Sequence, residues 1–303
     1  MNSKTKVARL SIASNSVLLL MKFAVGITTG SVSIISEAIH STMDLAASVI
    51  AFFSVKISSR PADANHPYGH GKVENISGVI EALLIFAAAI LIIEGSIKKI
   101  LHPGEEAGSF AIGFIVMFIS AAINFWVSNK LYKIAKHEDS IALEADALHL
   151  KTDVYTALGV GLGLLLIWIT KLNILDPIVA ILVALFILKE SYELLKSAFN
   201  PLLDVKLSDE DINVIEHVIA KYNSVYCDFH DLRTRKSGST YYIDLHLVVP
   251  ENMSVKAAHD ICDEIEIDLQ NSFKDTEVMI HLESCTNHCK TCKYSNKSGC
   301  KES

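Results

Sequence analysis

Residues 146–170 read DALHLKTDVYTALGVGLGLLLIWIT. No residue from Val154 to Thr170 is charged, yet His149 and Asp153 stand four apart just upstream. Four residues make about one helical turn, so the imidazole and the carboxylate stack on one face. A carboxylate at the centre of a bilayer costs about 2.5–3.5 kcal/mol on insertion scales, so an ionisable pair on so apolar a helix marks a pathway by default.

The rest of the chain follows the same plan. Half of the 303 residues are hydrophobic and the mean hydropathy is +0.35. Long apolar runs recur at Val7 to Thr29, Val32 to Lys56, Val73 to Ser96, Ala107 to Asn129, Ile141 to Thr170 and Pro177 to Lys196. Each meets or approaches the roughly 20 residues a helix needs to cross ~30 Å of hydrocarbon. The reading is an all-α membrane domain of six transmembrane helices. Lys4, Lys6 and Arg9 resemble the basic start of a signal peptide, but five further spans favour a retained first helix. The net charge of −7 offers no broad electrostatic footprint for nucleic acid, so no nucleic-acid partner is expected.

Lys4, Lys6, Arg9, Lys56, Arg60, Lys72, Lys130, Lys133, Lys136, Lys189 and Lys196 fall on one side of this threading, against Lys98, Lys99 and Lys171 on the other. The richer side is cytoplasmic by the positive-inside rule, which puts both termini there.

The second span repeats the spacing, with His40 and Asp44 in EAIHSTMDLA. Two imidazole nitrogens and two carboxylate oxygens suffice for a tetrahedral zinc shell, and the nitrogen donors disfavour magnesium, calcium and manganese. The alternative is a pair of buried His–Asp hydrogen bonds that hold helices together. Asp146 and Glu37 each lie three residues before a histidine, as proton relay, outer support for a ligand or interfacial group.

Between the second and third spans, RPADANHPYGHGK sets Asp63, His66 and His70 among Pro61, Pro67, Gly69 and Gly71. The prolines and glycines predict a fixed, non-helical turn. Its three donors fit a metal with water in the fourth position, or simply an ordinary surface loop.

After Pro201 the hydropathy falls. Ser208 with Asp211 resembles a capping box before Ile212, Ile215, Val218 and Ile219. Phe229 to Arg235 and Tyr241 to Val249 read as strands around Lys236 to Ser239, with Tyr241, Ile243, Leu245, Leu247 and Val249 on one face. A second helix carries Ala258, Ile261, Ile265 and Leu269, and a third strand runs from Glu277 to Leu282. The order α-β-β-α-β describes a small α+β domain of ferredoxin-like type. His230, His246 and His281 fall on the strands and His259 on the second helix, while Glu283 shares the face of His281. Such a set accommodates two metals, or is a scatter of surface histidines.

Together, six spans, paired His/Asp spacings in the second and fifth, the loop RPADANHPYGHGK and HDLRTRKSG before a hairpin resemble the cation diffusion facilitator family, particularly its bacterial zinc/proton antiporters. The resemblance runs from about Leu10 to Glu283. It implies a homodimer in the bacterial cell membrane that moves a divalent transition metal out of the cytosol against inward proton flow. Zinc is both substrate and regulatory ligand on this reading, with cadmium, cobalt or iron as alternatives. Carried over by position, His40, Asp44, His149 and Asp153 match the transport site, and Asp63, His66 and His70 a loop site. His230, His246, His259, His281 and Glu283 match a binuclear site in the soluble domain. Lys72 and Asp204 match a charge pair near the dimer interface.

Glu283 stands where bacterial members frequently carry Asp, and the short NKLYKIAKHEDS replaces the His-rich loop of many eukaryotic relatives. The expected division is a transport domain over 1–204, a cytoplasmic regulatory and dimerisation domain over 205–284, and a Cys-rich tail over 285–303. That tail, with Cys285, His288, Cys289, Cys292 and Cys300, has no counterpart in the common pattern. It reads either as a thiolate metal trap or as a Lys-rich terminus. An iron–sulfur role is set aside because no barrel-sized domain follows. Two other function classes compete. An intramembrane metalloenzyme lacks its usual H-E-x-x-H signature. A membrane-anchored metal sensor needs fewer polar-studded helices than these.

Overall fold

The structure, a computed structural model, describes residues 3–29, 32–101, 110–170 and 174–285. The chain divides into two compact units, Met1–Asn200 and Pro201–Ser303.

The first unit holds α1 (Ser3–Thr29), α2 (Val32–Ser58), α3 (Lys72–Leu101), α4 (Phe110–Glu138), α5 (Ile141–Thr170) and α6 (Leu175–Phe199). At 1.5 Å per residue these span about 38 to 45 Å. Two of them, over Ser3–Thr28 and Lys72–Lys98, are long and apolar enough among the described residues to cross a membrane, with mean hydropathies of 1.7 and 2.7. The helices also outrun the hydropathy. The fourth apolar run ends at Asn129, but α4 continues to Glu138, because Lys130, Lys133 and Lys136 are good helix formers once water can reach them.

The first unit carries large apolar side chains on its outside and buries polar groups among apolar clusters inside. Leu20, Leu91, Phe118 and Leu182 are more than 60% exposed. Meanwhile Ser11, Asn15, Ser48, Glu81 and Asp146 are buried at 3% or less. An outward apolar surface with the polar groups gathered inside suits lipid, where such groups must be satisfied internally.

Small residues let the backbones meet. Ala8, Ala51, Ala82, Ala89, Ala142, Ala145 and Ala198 are fully buried, as expected where helices pack without a hydrophobic drive between them. Gly78 on α3 marks the closest approach, for a Cβ there would sit 2.5 Å from Ile141 Cγ2 and 3.0 Å from Ala198 Cβ. The pairs α3–α6, α1–α2 and α4–α5 pack most extensively, and α5 also touches α2, α3 and α6. That central position puts α5 within reach of every other helix the candidate site requires.

Two buried polar knots fix the helices around it. Lys4 Nζ donates to Glu74 Oε1 at 3.3 Å and Ser58 Oγ donates to the same oxygen at 2.7 Å, while Ser140 Oγ donates to Glu74 Oε2. Elsewhere Asn15 Nδ2 donates to Ser48 Oγ at 2.6 Å, and Ser48 Oγ donates to Asp146 Oδ1 at 3.0 Å. Asp146 thus joins α5 to α2 through Ser48, and it is not among the residues lining the cavity described below.

A 3-10 turn over Asn200–Leu203 leads into the second unit, which holds α7 (Asp209–Ala220), β1 (Asp228–Ser237), β2 (Thr240–Val249), α8 (Val255–Ser272) and β3 (Thr276–Ser284). The sheet order is β1-β2-β3, with β1–β2 antiparallel and β2–β3 parallel. Ile243, Leu245 and Leu247 turn one face of β2 into a core with Ile215 and Ile219 of α7 and Ile265 and Leu269 of α8.

Ser208 caps α7 by accepting from Asp211 N at 3.1 Å. The reciprocal half of the expected box differs, because Ser208 Oγ donates to Asp211 Oδ2 at 2.8 Å. The hairpin is tighter than expected, with β1 running through Lys236 and Ser237 and Gly238 taking φ +60°, a conformation glycine adopts without steric cost. A bulge interrupts β1 after His230, where Asp231 has φ +52°. Cys285 is buried beyond β3, its N–H donating to the Val249 carbonyl at 2.8 Å. His288, Cys289, Cys292 and Cys300 lie outside the described residues.

Candidate functional site

Three of the four expected transport residues line one cavity of about 410 Å³ in the first unit, together with Lys22, Ser120, Asn124 and Thr152. Asp44 comes from α2, His149 and Asp153 from α5, Lys22 from α1 and Asn124 from α4. His149 Nε2 lies 3.1 Å from Asp44 Oδ1, a contact between residues far apart in sequence. Both side chains are buried, at 9% and 5% exposed.

When Asp44 is ionised its carboxylate only accepts, and the proton of this contact then sits on Nε2. The other ring nitrogen, Nδ1, is buried without a partner among the described residues. Asp153 Oδ2 accepts from Asn124 Nδ2 at 3.1 Å, which fixes the amide orientation and leaves Asn124 Oδ1 buried and without a partner. The backbone of His40 lies on α2 one turn before Asp44, but its side chain, like that of Glu37, lies outside the described residues.

Sequence reasoning did not single out Lys22, Asn124 or Glu81. Lys22 is buried at 7% exposed, and its Nζ donates to Ser41 Oγ at 2.8 Å. Asn124 is buried on α4, and Glu81 is fully buried on α3, accepting from Ser77 Oγ at 3.0 Å. Each is visible in the sequence only as one polar residue in an apolar run, as in LLLMKFAVG.

The loop between α2 and α3 gathers Asp63, His66 and His70 so that one donor atom from each lies within 4.8 Å of the others. Asp63 Oδ1 accepts from the backbone N–H groups of Asn65 at 2.9 Å and His66 at 2.8 Å, an Asx-type turn. The backbone N–H of His66 is the main cause that holds the Asp63 carboxyl below its ordinary range, with the His66 ring helping. His66 Nδ1 lies 3.1 Å from Asp63 Oδ1 and His70 Nε2 3.4 Å from Oδ2. Gly69 has φ +77°, which lets the loop double back and bring the two rings to 4.3 Å between centroids.

In the second unit the register aligns His230 with His246 and His246 with His281, one histidine from each strand on the face away from the core. Their ring centroids are 5.2 and 4.8 Å apart along the row. Glu283 closes the group, with Oε1 2.9 Å from His246 Nδ1 and Oε2 3.5 Å from His230 Nε2. His230, His246 and Glu283 each offer a ligand atom within 4.8 Å of the other two, and His281 is their neighbour through the ring contact alone. His259 does not join them. It stands on α8, whose buried side packs into the opposite face of the sheet, and its Nδ1 lies 3.6 Å from Asp263 Oδ1.

Residues 8–203 match the family model for the cation efflux transmembrane domain. The chain belongs to the cation diffusion facilitator family. Residues 207–285 of this cation diffusion facilitator match the cytoplasmic domain of cation efflux proteins.

An uncharacterised transporter of Synechocystis sp. is 34% identical over 276 residues, covering 91% of this chain and 89% of that protein. The cation-efflux pump FieF of Shewanella oneidensis is 30% identical, covering 90% and 92%. Among solved structures, the metal-bound C-terminal domain of the CzcD transporter from Thermotoga maritima is 28% identical, with a TM-score of 0.24, covering 26% of this chain and 94% of that one. Members of the family are membrane-integral transporters and not enzymes, so this cation diffusion facilitator is an efflux transporter for metal cations. The metalloenzyme alternative falls with that assignment.

Proposed function

We propose that this cation diffusion facilitator exports a divalent transition metal, zinc foremost, in exchange for protons by alternating access. The observation that carries the reading is the cavity where Asp44, His149 and Asp153 converge from α2 and α5 inside the apolar unit. With His40 from the turn before Asp44 it supplies two nitrogens and two carboxylates, a zinc-type set.

Coupling follows from the Asp44–His149 contact. With His149 doubly protonated beside Asp44, a metal can take Nε2 only once one of the two ring protons has left, so binding releases a proton and reprotonation expels the metal. An inward proton gradient then drives metal outward through a site that faces each side in turn. Six membrane spans with both termini in the cytoplasm fit this cycle and the distribution of Lys and Arg. Asp63, His66 and His70 serve as a metal-handling site on the α2–α3 loop. His230, His246, His281 and Glu283 bind regulatory metal in the cytoplasmic domain of a homodimer, with His259 on α8 standing apart from them within one chain.

Full-length protein in proteoliposomes with an internal zinc dye and an imposed pH gradient tests the reading. Asp153→Ala is expected to abolish gradient-driven zinc uptake, and uptake at the wild-type rate overturns the assignment of the cavity. A panel of zinc, cadmium, cobalt, nickel, iron and manganese in the same vesicles ranks the substrates.

A further inference from the structure

Lys22 is the cavity feature that the cation-binding reading leaves unexplained. It occurs in the apolar run Leu18 to Gly26 of α1, is buried, and shares a cavity with Asp44 and Asp153. Its ammonium donates to Ser41 Oγ, and Ser41 stands one turn before Asp44 on the face of α2 that carries the candidate ligand. A buried ammonium is costly in a helix bundle unless opposite charge compensates it. Among the described residues, Asp44 and Asp153 line the same cavity and are the carboxylates there that can compensate it. A fixed positive charge is the last thing expected in a pocket whose cargo is a dication, unless it has a task when the cargo is away.

The formal charges define that task. After the protons have left and before the metal arrives, neutral imidazoles, two carboxylates and one ammonium leave the cavity at about −1, and a divalent metal brings it to about +1. Without Lys22 the same states stand at about −2 and 0. The first difference is symmetric, so neither state buries more than one net charge. The second strands a dianion in the empty carrier and makes the loaded one a trap, since burying net charge is what a low-dielectric interior penalises most.

We propose that Lys22 is a tethered counter-cation that stands in for the metal. It balances Asp44 and Asp153 while the cavity is empty, and it caps metal affinity so that the cargo leaves. Its flexible four-carbon stem lets the ammonium yield when a metal arrives, which a planar guanidinium does less readily. Lys22 acts on the metal through charge rather than as a ligand. The inference rests on the cavity being the transport site.

Zinc uptake by the full chain in proteoliposomes, measured over a range of Zn2+ concentrations, tests it. Lys22→Met keeps the length and removes the charge. It is expected to lower the KM for Zn2+ by about tenfold, equivalent to one interaction of roughly 1.4 kcal/mol, while also lowering the maximal rate. Lys22→Arg keeps the charge and is expected to stay near the wild-type KM. Lys22→Gln gives the same readout where the methionine variant fails to insert. A charge-free variant with an unchanged or raised KM overturns the inference, because damage to packing raises KM and does not lower it. Asp153→Ala in the same vesicles separates the two levels. If it transports normally, the cavity assignment and the Lys22 role fall together. If it is inactive while Lys22→Met keeps the wild-type KM, only the role of Lys22 falls.

Discussion

Asn124→Leu removes a contact whose effect on transport can be worked from the geometry. Asn124 Nδ2 donates to Asp153 Oδ2 at 3.1 Å, and Asn124 is only 6% exposed. Leucine has nearly the same shape and no donor, so the cavity keeps its volume while Asp153 loses this amide. A hydrogen bond to a charged acceptor contributes about 1.5–3 kcal/mol. At 1.4 kcal/mol per factor of ten, metal affinity should fall by about 10- to 100-fold. Supports that orient metal-binding carboxylates typically cost about as much when removed. The assay is dye-reported zinc uptake into proteoliposomes at constant pH gradient, with KM and maximal rate fitted separately. The KM should rise by at least an order of magnitude, opposite in sign to the effect of Lys22→Met. A KM within threefold of wild type refutes the view that Asn124 holds the Asp153 carboxylate for the metal.

Other predictions follow from features away from the cavity. Gly78→Ala gains about 1 kcal/mol of helix propensity but overpacks against Ile141 and Ala198, at about 1–3 kcal/mol. Net loss should lower the melting temperature in detergent by a few degrees, Ile141→Ala should partly restore it, and a rise in the single variant refutes the close approach. Glu283→Gln removes charge from a side chain 37% exposed and should weaken zinc binding in the cytoplasmic domain by about tenfold without changing thermal stability in the metal-free protein; equilibrium dialysis with metal analysis reads this.

Asp63 should titrate below the roughly 3.9 of an unstructured aspartate. Because its folded pKa is depressed, its contribution to the loop is present above the unfolded pKa and is lost as pH falls through the folded one. Carboxyl-carbon NMR locates the midpoint, and one at or above the ordinary value refutes the donor arrangement around Asp63.

Much of this was legible in the sequence, and the failures have physical causes. The four-residue spacings put Asp44, His149 and Asp153 on inward helix faces because a period of 3.6 is all that step requires. The alternation from Tyr241 to Val249 marked β2 and put His246 on the outer face. Lys22 and Asn124 escaped because one polar residue in an apolar helix has no period, and its use depends on which helices pack together. His259 lies on α8, apart from the strand histidines within one chain, a separation between the two layers of the domain that spacing does not convey. The bulge after His230 was also illegible, since an aspartate with positive φ has no local signature beyond its tolerance of that region. Helix ends were missed where charged turns extend α4 beyond its apolar run.

The row His230, His246, His281 has a consequence for how the cytoplasmic domain assembles. Each strand supplies one member, and the pairings differ in kind, a short hairpin on one side and a parallel partner delivered by α8 on the other. The full row exists only when β3 has docked in register, since a slip of one residue turns His281 to the opposite face. Any metal that prefers the complete row therefore draws the last strand home by mass action. Ligand capture and strand order become one equilibrium, and a metal titration of a destabilised variant would count folded sheets.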